Sequence, residues 1–151
     1  MPRPIAITVG DPRGIGPEII GKALGEPSVA ALGPFVIVGA EGAGVDVNVS
    51  VGQWTSGASS VADAGRLAGL AIERAVAMAR AGEVSGIVTA PIDKAALLAG
   101  GYDFPGHTEM LAALTGREVA MMLASDRLRV VLATTHIALR EVPQALTRTA
   151  I

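Results

Sequence analysis

Ile5-Ala6-Ile7-Thr8-Val9 runs into Gly10-Asp11-Pro12-Arg13-Gly14-Ile15-Gly16 and then Pro17-Glu18: an apolar β-branched run, a glycine turn and a helix start. The run lacks polar alternation, as does a parallel strand covered on both faces. Proline at the first helical position and glutamate in the first turn suit a helix N-terminus. The same pattern recurs along the chain. Residues 35–38, 87–89 and 130–134 read as further buried strands, and 119–123 as a strand or short buried element. Residues 45–51 alternate strictly, which marks a half-exposed edge strand. Gly-rich residues 39–44 read as a loop. Helical patterns cover 17–24, 59–81 closed by Gly82, a stretch starting at Pro91, and 108–114. In the longest, Val61, Leu67, Leu70, Ala71, Val76 and Met78 make an apolar face, with Arg66, Glu73, Arg74 and Arg80 mostly opposite. Strand–helix alternation of this kind predicts an α/β sandwich with a largely parallel sheet.

The chain has 151 residues, 50% of them hydrophobic, which is enough for one domain with a real core and excludes intrinsic disorder. A net charge of −2 gives no footprint for nucleic acid or an anionic membrane surface. Absence of cysteine removes disulfides, thiolate metal sites and cysteine nucleophiles together. The apolar start is too short for a signal-peptide core, and arginines interrupt the Ala-rich middle, so a soluble, cytoplasmic protein is expected. Near the C-terminus, 143–146 reads as the opening of a helix with Thr147 as N-cap, so the sequence reads as truncated.

Four stretches carry chemistry. In the first, residues 8–18, glycines bring backbone N–H groups close to a ligand at a helix N-terminus, or else simply make a tight turn. The second is Thr89-Ala90-Pro91-Ile92-Asp93-Lys94, at a strand's carboxyl end, where open α/β sheets bind ligands. Lys94 is one of two lysines beside ten arginines, and a lysine, unlike arginine, gives up its proton when buried. The third, Gly106-His107-Thr108-Glu109, places a histidine at a helix start, able to donate to a phosphate or carboxylate oxygen. The fourth, Thr134-Thr135-His136-Ile137-Ala138-Leu139-Arg140, places His136 after an apolar strand as a metal ligand or general base. Isolated, the glycine turn suits either role, while Lys94 and each histidine are more often structural or solvated residues. Together the two histidine motifs and the Thr89–Lys94 loop point to a cleft at one sheet edge.

In this order, and with Glu141-Val142-Pro143 continuing the last, these motifs resemble 4-hydroxythreonine-4-phosphate dehydrogenases, NAD-dependent enzymes of pyridoxal 5′-phosphate biosynthesis. The resemblance runs from Ile5 to the last residue and covers the N-terminal half of the family's chain. Residues 1–151 would then be the N-terminal portion of a two-lobed dehydrogenase without its C-terminal lobe. It implies a three-layer α/β/α fold related to the isocitrate and isopropylmalate dehydrogenases, and a homodimer. The implied reaction is oxidation of 4-phosphooxy-L-threonine at C3 by NAD followed by decarboxylation, assisted by a divalent metal (zinc, magnesium or cobalt). The resemblance assigns His136 to the metal, His107 and Thr108 to the small phosphorylated substrate, and Lys94 to substrate binding or proton transfer. Cofactor-binding residues are not identified in this half. One histidine cannot hold a catalytic metal, so the chain alone is expected to be inactive. Residues 39–57 are shorter than in many relatives, which trims the sheet edge. Other readings are a non-catalytic half with weak phosphate binding through His107 and Thr108, or a dehydrogenase for another phosphorylated hydroxy acid or a cyclic diol. A decarboxylating dehydrogenase of the isopropylmalate type is opposed by Gly-His-Thr-Glu.

Overall fold

The computed structural model describes residues 2–135 and 137–148. Strands β1 (Ile5–Thr8), β2 (Phe35–Glu41), β3 (Val49–Gln53) and β4 (Gly86–Thr89) form a parallel sheet in the order β3-β2-β1-β4. Ile5 lies opposite Phe35 and Gly86, and Thr8 opposite Val38 and Thr89. The inner strands bury Ala6, Ile7, Ile37 and Val38, as their unbroken apolar runs predict. β2 extends through Gly39 and Ala40, read above as loop, because Gly39 must lie against Val9: a Cβ there would sit 2.4 Å from the valine side chain.

The edges depart from expectation. β4 reads as buried on both faces, yet it pairs only with β1 among the described residues, and Val88 is 51% exposed. The alternating segment is an edge, as expected, but β3 begins at Val49. Val45 and Val47 instead pack against Ile7, Val9, Ile20 and Ile37. Asn48 starts the edge by accepting the Ile37 N–H (2.8 Å) on its side chain while donating its own N–H to the Ile37 carbonyl (2.9 Å).

Helix α1 (Gly16–Gly25) covers one sheet face through Ile20, followed by the single turn α2 (Pro27–Ala30). Helix α3 (Val61–Arg80) covers the other. Its Ala71, Ala75 and Met78 meet Ala6 and Val38, and its Ala64 and Leu67 meet Ala40 and Trp54. Ser60 starts it with a capping box: its Oγ accepts the Asp63 N–H, and Asp63 accepts the Ser60 N–H. Val61, the first helical residue, is half exposed rather than part of the apolar face, and Ile72 is buried with Val76 and Met110, next to Ile87 of β4.

Against α3 lie α4 (Lys94–Ala99) and α5 (His107–Thr115). Glycines bring these backbones together. A Cβ on Gly65 would stand 1.7 Å from the Ala96 carbonyl oxygen, one on Gly69 2.1 Å from the Tyr102 ring, and one on Gly100 2.2 Å from the Arg66 nitrogen. Burial pushes the Tyr102 hydroxyl up to about 12, reinforced by the Glu73 carboxylate to which it donates. Helix α4 starts at Lys94 rather than Pro91. The Pro91 carbonyl is taken by the Asp11 N–H (3.0 Å), and Asp93 caps the helix through the Ala96 N–H (2.9 Å). Met110 packs on Ile72 and Val76, and Arg80 donates to the Leu114 carbonyl, so α5 runs parallel to α3. Both helices therefore start towards the carboxyl ends of the strands.

Residues 130–134 do not form a buried parallel strand. β5 (Met122–Ala124) and β6 (Arg129–Val131) make a separate antiparallel ribbon, followed by a 3-10 turn (Leu139–Glu141) and the single turn α6 (Val142–Ala145). None of these contacts another element of the main body among the described residues, and Met122, Leu123, Val130 and Val131 are exposed. Two strands alone cover neither of their own faces. Thr147 follows α6 and donates its N–H to the Ala145 carbonyl, and most of the turn that it would cap lies outside the described residues.

The tight α3 seam sets opposite expectations for two helical glycines. Gly65→Ala forces overpacking and should destabilise by about 1–3 kcal/mol. Gly21→Ala, with open space in α1, should stabilise by about 0.5–1 kcal/mol. Urea unfolding followed by the buried Trp54 reads both.

Candidate functional site

The sheet order creates a topological switch point. From β1 the chain reaches β2 over the α1 face, whereas it reaches β4 over the α3 face. Loops leaving β1 and β4 therefore diverge, and the crevice outside their carboxyl ends is where such sheets bind ligands. Here the two loops are packed onto each other. Gly10 takes a left-handed φ of +73°, and a Cβ on it would lie 2.3 Å from the Pro91 carbonyl oxygen. A Cβ on Gly16 would lie 2.2 Å from the Val9 carbonyl oxygen. These two glycines serve approach of the chain to itself, so the tight-turn reading describes them.

Charged groups complete the joint. The Asp11 carboxylate is buried and accepts the Arg13 N–H (2.8 Å), Nε (3.0 Å) and Nη2 (2.6 Å). The same Nη2 lies 3.3 Å from Asp93 Oδ2. The Ala96 N–H holds the Asp93 carboxyl below its ordinary range, helped by the Ala95 N–H and Arg13. Sequence reasoning assigned no role to Asp11, Arg13 or Asp93. The Asp-x-Arg spacing was a local signal for the first pair, but nothing local linked either residue to Asp93.

Lys94 is the exposed first residue of α4, with no ion pair among the described residues. His107 opens α5 and is partly buried, and burial lowers its pKa from the ordinary histidine value. Its Nε2 is buried without a hydrogen-bond partner among the described residues. Thr108 follows, partly exposed. No side chain caps α5, so its first-turn N–H groups are left for solvent or an anion. Ile92, two residues before Lys94, and Met110, three after His107, share one apolar cluster with Ile72 and Val76. The second and third motifs are thus brought to one side of α3, although no hydrogen bond or ion pair joins Lys94 to His107. Thr8 Oγ1, fully buried at the end of β1, is a further polar atom without a partner among the described residues, and the sequence alone did not single it out.

His136 lies outside the described residues. Its motif follows β6, which belongs to the separate ribbon, so the strand before it is not the buried strand of the main sheet that was expected. Among the described residues no three His, Asp or Glu side chains gather to hold a metal ion, and no helix is long and apolar enough to cross a membrane.

Residues 30–151 match the family described as pyridoxal phosphate biosynthetic protein PdxA. A D-threonate 4-phosphate dehydrogenase of Cupriavidus necator is 42% identical, over 89% of this chain and 50% of its own. The crystal structure of a 4-hydroxythreonine-4-phosphate dehydrogenase from Burkholderia phymatum matches with a TM-score of 0.88 and 32% identity, over 98% of this chain and 55% of that one. A terephthalate 1,2-cis-dihydrodiol dehydrogenase of Burkholderia xenovorans matches with a TM-score of 0.68 and 25% identity, over 99% of this chain and 53% of that one. The chain spans about half the length of the curated relatives it matches.

The partly buried His107 makes stability depend on pH. With the folded-state pKa lowered, the unfolded chain binds the proton more readily, so stability should fall as pH drops through about 6.5. His107→Gln should flatten that part of a plot of unfolding midpoint against pH, and an unchanged slope would refute the assignment.

Proposed function

The chain belongs to the PdxA family of pyridoxal phosphate biosynthetic proteins, and from that premise we propose that it forms the phosphate-gripping half of a dehydrogenase active site. The observation that carries this reading is the start of α5: an uncapped helix N-terminus bearing His107, with its unpartnered Nε2, and Thr108. Neutral imidazole with its proton on Nε2, the Thr108 hydroxyl and the first-turn N–H groups are all donors, and a phosphate offers only acceptors. Lys94 supplies the nearby cation, binding the substrate or taking part in proton transfer.

The substrate is 4-phosphooxy-L-threonine, oxidised at C3 by NAD to a 3-oxo acid that loses CO2. In such chemistry a bound NAD would take up the hydride and a divalent metal would polarise the C3 oxygen. The described residues do not by themselves gather a set of side chains that fits a metal. His136 would give one ligand, and the others would come from the additional length that the relatives possess. The same length would cover the exposed apolar residues of the β5–β6 ribbon, with the whole protein acting as a homodimer. A second reading, D-threonate 4-phosphate as substrate, is favoured by the 42% identical relative of that name. Both substrates carry the phosphate that the start of α5 suits, whereas a cyclic diol carries none.

Incubated with NAD, a divalent metal and 4-phosphooxy-L-threonine, the 151-residue chain should form no NADH; sustained turnover would show that its site is complete. In calorimetric titration the chain should still bind the phosphorylated substrate weakly. His107→Ala should reduce that affinity by about tenfold or more, the worth of a hydrogen bond to a charged group. Equal affinity in the variant would remove His107 from the site.

A further inference from the structure

Arg13 has no part in the phosphate reading, yet it bridges the two loops that leave β1 and β4. The Asp11 side chain is 5% exposed, and the guanidinium meets both of its oxygens. A planar fork matches a carboxylate in this way, whereas an ammonium cannot. Leaving Asp11 would strand a buried charge, so the guanidinium is fixed in place. Its Nη2 reaches across to Asp93 Oδ2 on the other loop. Asp93 divides its oxygens, giving Oδ2 to Arg13 and Oδ1 to the Ala96 N–H at the first turn of α4. The Asp11 N–H bond to the Pro91 carbonyl runs parallel to this link. Lys94 is the residue that follows Asp93.

We infer that Arg13 is a positioning residue: anchored on buried Asp11, it holds Asp93 and so sets where α4 begins and where Lys94 stands across the crevice. Only the functional consequence rests on the reading of Lys94 as a substrate-site residue.

The chain has just two lysines, so 13C-dimethylation labels Lys22 and Lys94 beside the terminal amine. Lys22, on α1 and paired with Glu18, is an internal control. Arg13→Gln and Asp93→Asn should each narrow the Lys94 methyl resonance as that side chain gains freedom, and leave Lys22 unchanged. Line width, unlike chemical shift, is insensitive to the mere loss of a neighbouring charge. Arg13→Gln should also speed amide exchange at Asp11 by about tenfold, with α3 amides unaffected. Asp93→Asn keeps the helix cap and the Asp11–Arg13 pair, so it tests the link even where Arg13→Gln fails to fold. Unchanged Lys94 width in a folded variant, or equal changes at both lysines, would overturn the inference. Failure of the unmodified chain to bind 4-phosphooxy-L-threonine would instead sink the substrate reading and leave the positioning result standing.

Discussion

The close approach of α3 to its neighbours is the constraint on which the rest of this structure depends. One flank of the helix lies on the sheet through Ala71, Ala75 and Met78, and another faces α4 and α5 through Gly65, Gly69, Ile72 and Val76. A helix buried on two sides must carry small residues where backbones touch, because each added methylene in a close-packed interior forces neighbours aside. That is why the apparent apolar stripe of α3 is really a broad belt of alanine and glycine. Since α5 lies parallel to α3, the packing also carries His107 and Thr108 towards the carboxyl ends of the strands.

The edge of the sheet is organised by charge as well as by packing. Adjacent strands β1 and β4 send their chains to opposite faces, which by itself opens a crevice. Gly10, the Asp11 N–H and the Arg13 guanidinium close part of it from within. The groups free to meet a ligand therefore lie beside this joint, at the starts of α4 and α5, rather than in the glycine turn. Within this edge, the unpartnered His107 Nε2 and Thr8 Oγ1 contrast with the fully engaged Asp11.

Legibility from sequence varied with how local each cause was. β1, β2, the α3 span and the α5 start could be read because β-branched runs, turn glycines and helical periodicity act within a few residues. The start of α4 was misread at Pro91 because its carbonyl is bonded to Asp11, far away in sequence. Residues 130–134 have the composition of a buried strand, but burial needs a second surface, and the ribbon they join finds none among the described residues. Val88 is exposed for the same reason.

By itself the sequence determined the α/β class, the parallel core strands, the turn glycines and the family, through periodicity, turn chemistry and ordered motifs. Only the tertiary structure decided that β4 is an edge, that α5 aligns with α3, and that Arg13 joins Asp11 to Asp93. The physical reason is distance along the chain. A local pattern reports which surfaces a segment can bury or which charges it can pair. The partner that does so, eighty residues from Arg13 in the case of Asp93, exists only once the chain has folded.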